Sequence, residues 1–227
     1  MARAVLVALL TFIGGFVDAA GFLGLQGLFA AHVTGNFVTL GATLVLGHSG
    51  VLAKLLALPE FILVVALARL AGIALRARRR PALRVLLAVE GLLLLAFFGL
   101  GVAFGPYPDS DTPLALLTGF AAIAAMAVQN AVQRVHLAAL PPTTIMTGNT
   151  TQAALDAVDL LLGPPPDQAG AVRARFQRTV GGIACFAAGC AAAAALYAWV
   201  GFWCLALPVA LGPVCVALTG KDAPGPR

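Results

Sequence analysis

Thr34-Gly35-Asn36 opens one short apolar stretch, Asn36–Leu46, and Thr147-Gly148-Asn149 opens another, Asn149–Leu162, 113 residues further along the chain. These stretches offer 11 and 14 residues, or about 17–21 Å of helix, where crossing the hydrocarbon takes about 20 residues. How they sit decides the fold. If both crossed, the chain would have eight spans, and the basic loops Arg76–Arg84 and Asp167–Arg178 would lie on opposite sides of the bilayer. If both instead enter and leave on one side, six spans remain. The basic loops then both face inward, with Arg134 and Lys221, and the acidic loop Gly105–Thr112 (Asp109, Asp111) faces outward. The bias of Lys and Arg toward the inner side favours the second arrangement.

Composition gives the same class independently. The chain has 227 residues, 61% of them hydrophobic and 10% charged, with a mean hydropathy of +0.98. Soluble domains are about half apolar and a quarter charged, so a soluble domain, a disordered chain and a fibrous one are all excluded. The net charge of +5 comes mainly from arginines flanking apolar runs, which set topology or meet anionic lipid and do not signal nucleic acid. Arg3 followed by apolar residues to Val17 mimics a cleaved signal, but the apolar stretch resumes at once through Phe29, so a retained first span is expected.

Six stretches have spanning length: Val5–Leu25, Leu56–Leu75, Leu83–Phe104, Pro113–Gln133, Thr179–Val200 and Phe202–Thr219. The last two form an uncharged block that must turn back, with Gly201 between Trp199 and Trp203 as its corner. His32-Val33-Thr34-Gly35-Asn36 matches Ile145-Met146-Thr147-Gly148-Asn149, and each half reads span, short helix, span, span. With an odd number of spans per half, the second copy is inverted. The expected fold is therefore an all-α membrane protein of six transmembrane helices plus two short re-entrant helices, a 3+3 inverted repeat in one domain over 1–227, with halves near 1–108 and 109–220.

Gly14-Gly15-Phe16-Val17-Asp18-Ala19, the two Thr-Gly-Asn motifs with their flanks, and Val128-Gln129-Asn130-Ala131 together resemble the YoaK family of small bacterial membrane proteins, a domain of unknown function. Asp156 sits where that family has an aspartate; Asp159 is a departure from its pattern. The resemblance implies a multi-pass protein of the bacterial inner membrane and supplies no substrate.

The chemistry has to come from the residues. Glycine lets the backbone turn sharply, and threonine and asparagine suit a helix start. Thr34, Gly35, Asn36, Thr147, Gly148 and Asn149 would thus bring two helix N-termini toward one point, suited to a small anion. The competing expectation is that these side chains only cap their own helices. Asp18 lies about 13 residues into the first span, where a carboxylate is costly and marks function by default. Gln129 and Asn130 hold the comparable place in the second half. The competing expectation is that Asp18 caps the re-entrant loop or stays protonated, fixing structure only.

Asp18, Asp156 and His32 are candidates for proton or ion coupling. Arg69 and Glu90, at similar depth on adjacent spans, are expected to form a structural ion pair. Cys185, Cys190, Cys204 and Cys215 read as packing residues, and neither a metal set nor a nucleophile–base arrangement is present. Gly24/Gly27 and Ala191–Ala195 suit close helix packing.

These features point to a secondary transporter or facilitator of a small, possibly anionic solute, with no cofactor and no enzymatic step. The alternatives are a passive channel, or a non-transporting membrane protein acting as an enzyme or scaffold. The partners expected are the lipid bilayer, the solute and possibly further copies of the chain, but not nucleic acid. Both termini are expected in the cytoplasm.

Overall fold

A computed structural model describes residues 2–220; Lys221 and the C-terminus, both expected on the inner side, lie outside the described residues. Among those described, eight α-helices and one 3-10 turn account for the regular structure, and strands are absent. The helices are α1 (Ala2–Gly24), α2 (Gly35–Leu46), α3 (Val51–Ala77), α4 (Ala82–Phe104), α5 (Pro113–His136), α6 (Met146–Leu162), α7 (Pro166–Val200) and α8 (Ala206–Leu218), with the 3-10 turn Gly201–Leu205 between the last two.

Five segments are long and apolar enough to cross a membrane: α1, α3, α4, α5 and the joined segment Pro166–Leu218. Within the most apolar window, 67% of α1 and 78% of α5 is buried, against 22% for α3 and 33% for α4. Thus α1 and α5 form the centre. The outer helices turn Leu55, Ile62, Leu63, Leu67, Leu70, Leu92 and Leu95 outward, as helices bathed in acyl chains do.

Glycine sets how closely the helices approach. A Cβ on Gly15 would strike the Phe186 backbone, and one on Gly189 would strike Phe12 and Phe16, so α1 and α7 touch backbone to backbone. Such contacts are how membrane helices pack without a hydrophobic driving force between them.

The reversal expected at Gly201 is present. Gly201 has φ +55, in the region that favours glycine. The following Phe202 packs edge-on against Phe97, Tyr107 and Tyr197. Gly212 then lies beside Gly91, so α8 runs back along α4. At 13 residues, α8 is shorter than an ordinary span. Helix α7 is correspondingly longer than its apolar stretch. It has 35 residues, because it begins at Pro166 and takes in Asp167–Arg178, the stretch read as a basic loop.

One end of the bundle is tied together by polar contacts. Gln26 donates to the Tyr107 carbonyl (3.1 Å) and Lys54 donates to the Gln26 carbonyl (2.8 Å). Asp111 accepts from the N–H groups of Gly50, Val51 and Ala53, capping α3 from the α4–α5 loop. The C-terminal ends of α1, α4 and α7 and the N-terminal ends of α3 and α5 therefore share that end. Arg76–Arg84 and the start of α7 both lie at the other.

The ion pair expected between Arg69 and Glu90 is not formed. The one ion pair among the described residues is Arg175–Asp156. Glu90 is 2% exposed, and neither of its carboxyl oxygens has a partner. It sits where α4 meets α8 at Gly91 and Gly212, whereas the exposed Arg69 borders a crevice with Leu86, Val135 and His136. Arg69 therefore lies at the crevice beside α5 and Glu90 at the contact of α4 with α8, and the two side chains do not meet.

Candidate functional site

The site is built on two loops that dip back into the bundle, 25–34 before α2 and 137–145 before α6. A loop buried in the bundle needs its backbone polar groups satisfied from within the protein. In the first, Asp18 on α1 supplies the acceptor. The N–H groups of Ala30 (2.9 Å), Ala31 (2.8 Å) and His32 (3.2 Å) all donate to its Oδ1. In the second, α5 supplies amides. Gln129 donates to the Thr143 hydroxyl and to the Leu10 carbonyl, both at 2.9 Å, and the Thr144 hydroxyl donates to Asn130 Oδ1 at 2.8 Å.

The asparagines of the two tripeptides staple the same loops. The Phe29 N–H donates to Asn36 Oδ1 (2.9 Å), and Asn36 Nδ2 donates back to the Phe29 carbonyl (2.8 Å). Asn149 Nδ2 reaches the Pro142 carbonyl at 2.9 Å. Each asparagine thus bonds the residue seven places earlier. Proline has no N–H, so the second staple has one strand of bonding where the first has two.

Between the loops, α1 and α7 lies a cavity of about 480 Å³. Asp18, Ala19, Phe22 and Leu23 line it from α1, with Phe29 and His32 from the first loop. Thr144, Ile145, Met146 and Thr147 come from the second loop and the start of α6, and Phe186, Cys190 and Ala194 from α7. Of the nine residues expected at a solute site, Asp18 and Thr147 reach the wall. Thr34, Gly35, Asn36, Gln129, Asn130, Gly148 and Asn149 do not; Asn36, Gln129, Asn130 and Asn149 hold the loops that form it. The aromatic part of the wall carries no sequence signal of its own, because the chain has 13 phenylalanines spread through its apolar runs.

The two helix starts differ. The N–H groups of Gly35, Asn36 and Phe37 donate to the carbonyls of His32, Val33 and Thr34, so the start of α2 is closed on itself. Thr34 makes no side-chain cap. At α6 the N–H groups of Met146, Thr147 and Gly148 have neither a side-chain cap nor a backbone acceptor among the described residues. An anion site shared by two free helix starts is therefore not available; one start is free.

Of the coupling candidates, Asp18 and His32 line the cavity and Asp156 does not. Asp156 on α6 is clamped by Arg175 of α7, with Nη2 at 2.6 Å and Nε at 3.0 Å from Oδ1, and by Gln152 at 2.8 Å. The Arg175 hydrogen bond holds its carboxyl below the ordinary carboxylate value. The four cysteines are free. Cys190 packs against Gly15, its thiol 3.2 Å from the carbonyl oxygen.

A family model described as a protein of unknown function, DUF1275, matches residues 6–218, nearly the whole chain. The chain belongs to the DUF1275 family. The YoaK family is a DUF1275 family, so the resemblance carried by the paired motifs holds. Comparison with curated proteins and with solved structures gave no match. The DUF1275 chain is an apolar, multi-helix, membrane-type protein, and its cavity is the feature from which a function has to be read.

Proposed function

We propose that this DUF1275 protein is a secondary transporter or facilitator of a small solute in the bacterial inner membrane, with the cavity as its solute site. The observation that carries the reading is that both in-dipping loops, one from each half of the chain, border the same cavity beside a buried carboxyl group. Broken helices that meet inside a membrane bundle are where such carriers bind.

Support for a 3+3 plan comes from the packing. Exchange the halves, so that α1 pairs with α5, α2 with α6, α3 with α7 and α4 with α8. The contact of α1 with α7 then becomes that of α5 with α3, and α1 with α8 becomes α5 with α4. The contact of α2 with α3 becomes that of α6 with α7, while α1–α5 and α4–α8 map onto themselves. The asparagine staples follow the same exchange. On this reading α2 and α6 are re-entrant helices that leave toward opposite surfaces.

The test is a thermal-shift screen of the detergent-purified protein against amines, amino acids, carboxylates and nucleobases, repeated on Met146→Trp, which fills the cavity. A stabilising solute whose effect is lost in the variant supports the site. Failure of every class to stabilise the wild type overturns it. Flux of that solute into liposomes then separates a carrier, which saturates, from a passive channel, which does not.

A further inference from the structure

We propose that Asp18 Oδ2 is a single seat shared by a proton and the ammonium group of the solute, so that the cavity takes small amines with an apolar body and exchanges them for a proton. The inference rests on the cavity being the solute site. Oδ1 is saturated by three N–H donors, while Oδ2 has no hydrogen-bond partner among the described residues. The residue is 5% exposed and borders the cavity.

No lysine or arginine lines the cavity, and the one basic group facing the carboxyl is the His32 imidazole. An unpaired charge at this depth is costly, and an incoming proton or an incoming cation each removes that cost at the same oxygen. Both cannot occupy it together. The exchange balances as the Asp18 carboxylic acid plus an ammonium giving the carboxylate–ammonium pair and one proton released to water.

The remaining wall fits the rest of such a solute. Phe22, Phe29 and Phe186 line the same space, the rings of Phe22 and Phe29 with their centroids 4.9 Å apart. Ring faces attract ammonium groups, and ring edges and Met146 accept apolar bodies. The free N–H groups at the start of α6 suit an acceptor carried by the same molecule, as in an amino-acid-like zwitterion. The titratable groups facing Asp18 are His32 from the first loop and Cys190 from α7. The other elements packed on α1 carry Arg134 and His136 (α5), Cys204 (the 3-10 turn) and Cys215 (α8), none of which borders the cavity.

Three probes with one body decide it: phenethylamine, phenylalanine and 3-phenylpropionate, titrated into the full-length protein in detergent, in weak buffer, across pH. Phenethylamine should bind with about one proton released per amine. Its affinity should fall about tenfold for each pH unit below the titration of Asp18. Phenylalanine binding with the same proton release supports the exchange and assigns the α6 N–H groups to its carboxylate. Asp18→Asn keeps an acceptor for the three loop N–H groups and should abolish both binding and release. If that variant fails to fold, the proton count on the wild type still decides. Binding of 3-phenylpropionate alone, or of phenethylamine with no proton released, overturns the exchange while leaving a solute site in place. Failure of all three probes while another solute binds in a Met146→Trp-sensitive way overturns the amine class only; with no solute at all, the carrier reading itself goes.

Discussion

Asn36 satisfies polar groups of the chain itself, accepting from the Phe29 N–H and donating to the Phe29 carbonyl. Asn36→Leu removes both partners of Phe29 and strands a loop N–H and carbonyl, so we expect a loss of about 1–3 kcal/mol. Asn149→Leu should cost less, because Pro142 has no N–H to strand. Chemical denaturation in detergent checks the order of the two, and equal losses would contradict the staple geometry. Glu90 gives the opposite sign. Its two oxygens are buried without partners, which is unfavourable by about 1–3 kcal/mol for such a group. Glu90→Leu should therefore stabilise the protein, whereas Arg69→Leu on an exposed face should change stability by less than about 0.5 kcal/mol. A strong loss on Glu90→Leu would restore the abandoned ion pair. Glu90 also shows what sequence leaves illegible: counting residues gives depth along a helix, but each residue rotates the side chain by about 100°, so small errors of phase exchange one neighbour for another.

At the scale of elements, α6 is attached differently from the spans. It packs on α7 alone, exposes Leu155, Leu161 and Leu162, and is pinned by Asp156 to Arg175. Because Arg175 holds the folded-state carboxyl below its usual value of 3.8, the clamp contributes fully above that value. It is lost as pH falls through the lower folded-state value. Amide exchange in α6 should thus quicken below about pH 4 in the wild type. In Asp156→Asn it should be fast at all pH values, with exchange in α1 and α5 unchanged. Arg175 is half exposed, so the effect should also weaken with salt. Slow, pH-independent exchange in both proteins would mean that apolar packing alone holds α6. This clamp was hidden in the sequence by its own composition. Arg173–Arg178 next to Gly163-Pro164-Pro165-Pro166 reads as a basic loop, yet Pro166 occupies the first turn of α7, where the missing N–H does no harm. The turn at Gly201 was legible for the converse reason, since an uncharged stretch of about 63 Å is too long for one crossing.

For the whole molecule, the tied end is the reference from which the charge distribution is read. Gln26, Gly50, Lys54, Tyr107 and Asp111 are joined there, and Phe202 packs on Tyr107 with a centroid separation of 5.7 Å. Both basic segments, Arg76–Arg84 and Arg173–Arg178, begin or end at the opposite end, together with Ala2 and His136. One surface of the bundle therefore collects most of the arginine and the other collects Asp109 and Asp111, and positive charge is retained on the cytoplasmic side. We predict that Pro108, which is exposed in the acidic loop, faces outward and that Gln168, exposed near the start of α7, faces inward. Ser110 is unsuitable as a probe because it is 1% exposed. In a background with the four cysteines replaced by alanine, Pro108→Cys should react with an impermeant maleimide added to intact cells. Gln168→Cys should react only after the membrane is opened. Labelling of both from outside would put the two ends of α7 on one surface and break the six-crossing plan. Labelling of Gln168→Cys alone would keep the plan and invert it, overruling the arginine distribution. On the expected pattern α2, which ends at Leu46 beside the tied end, would exit outward, and α6, which ends at Leu162 just before the start of α7, would exit inward.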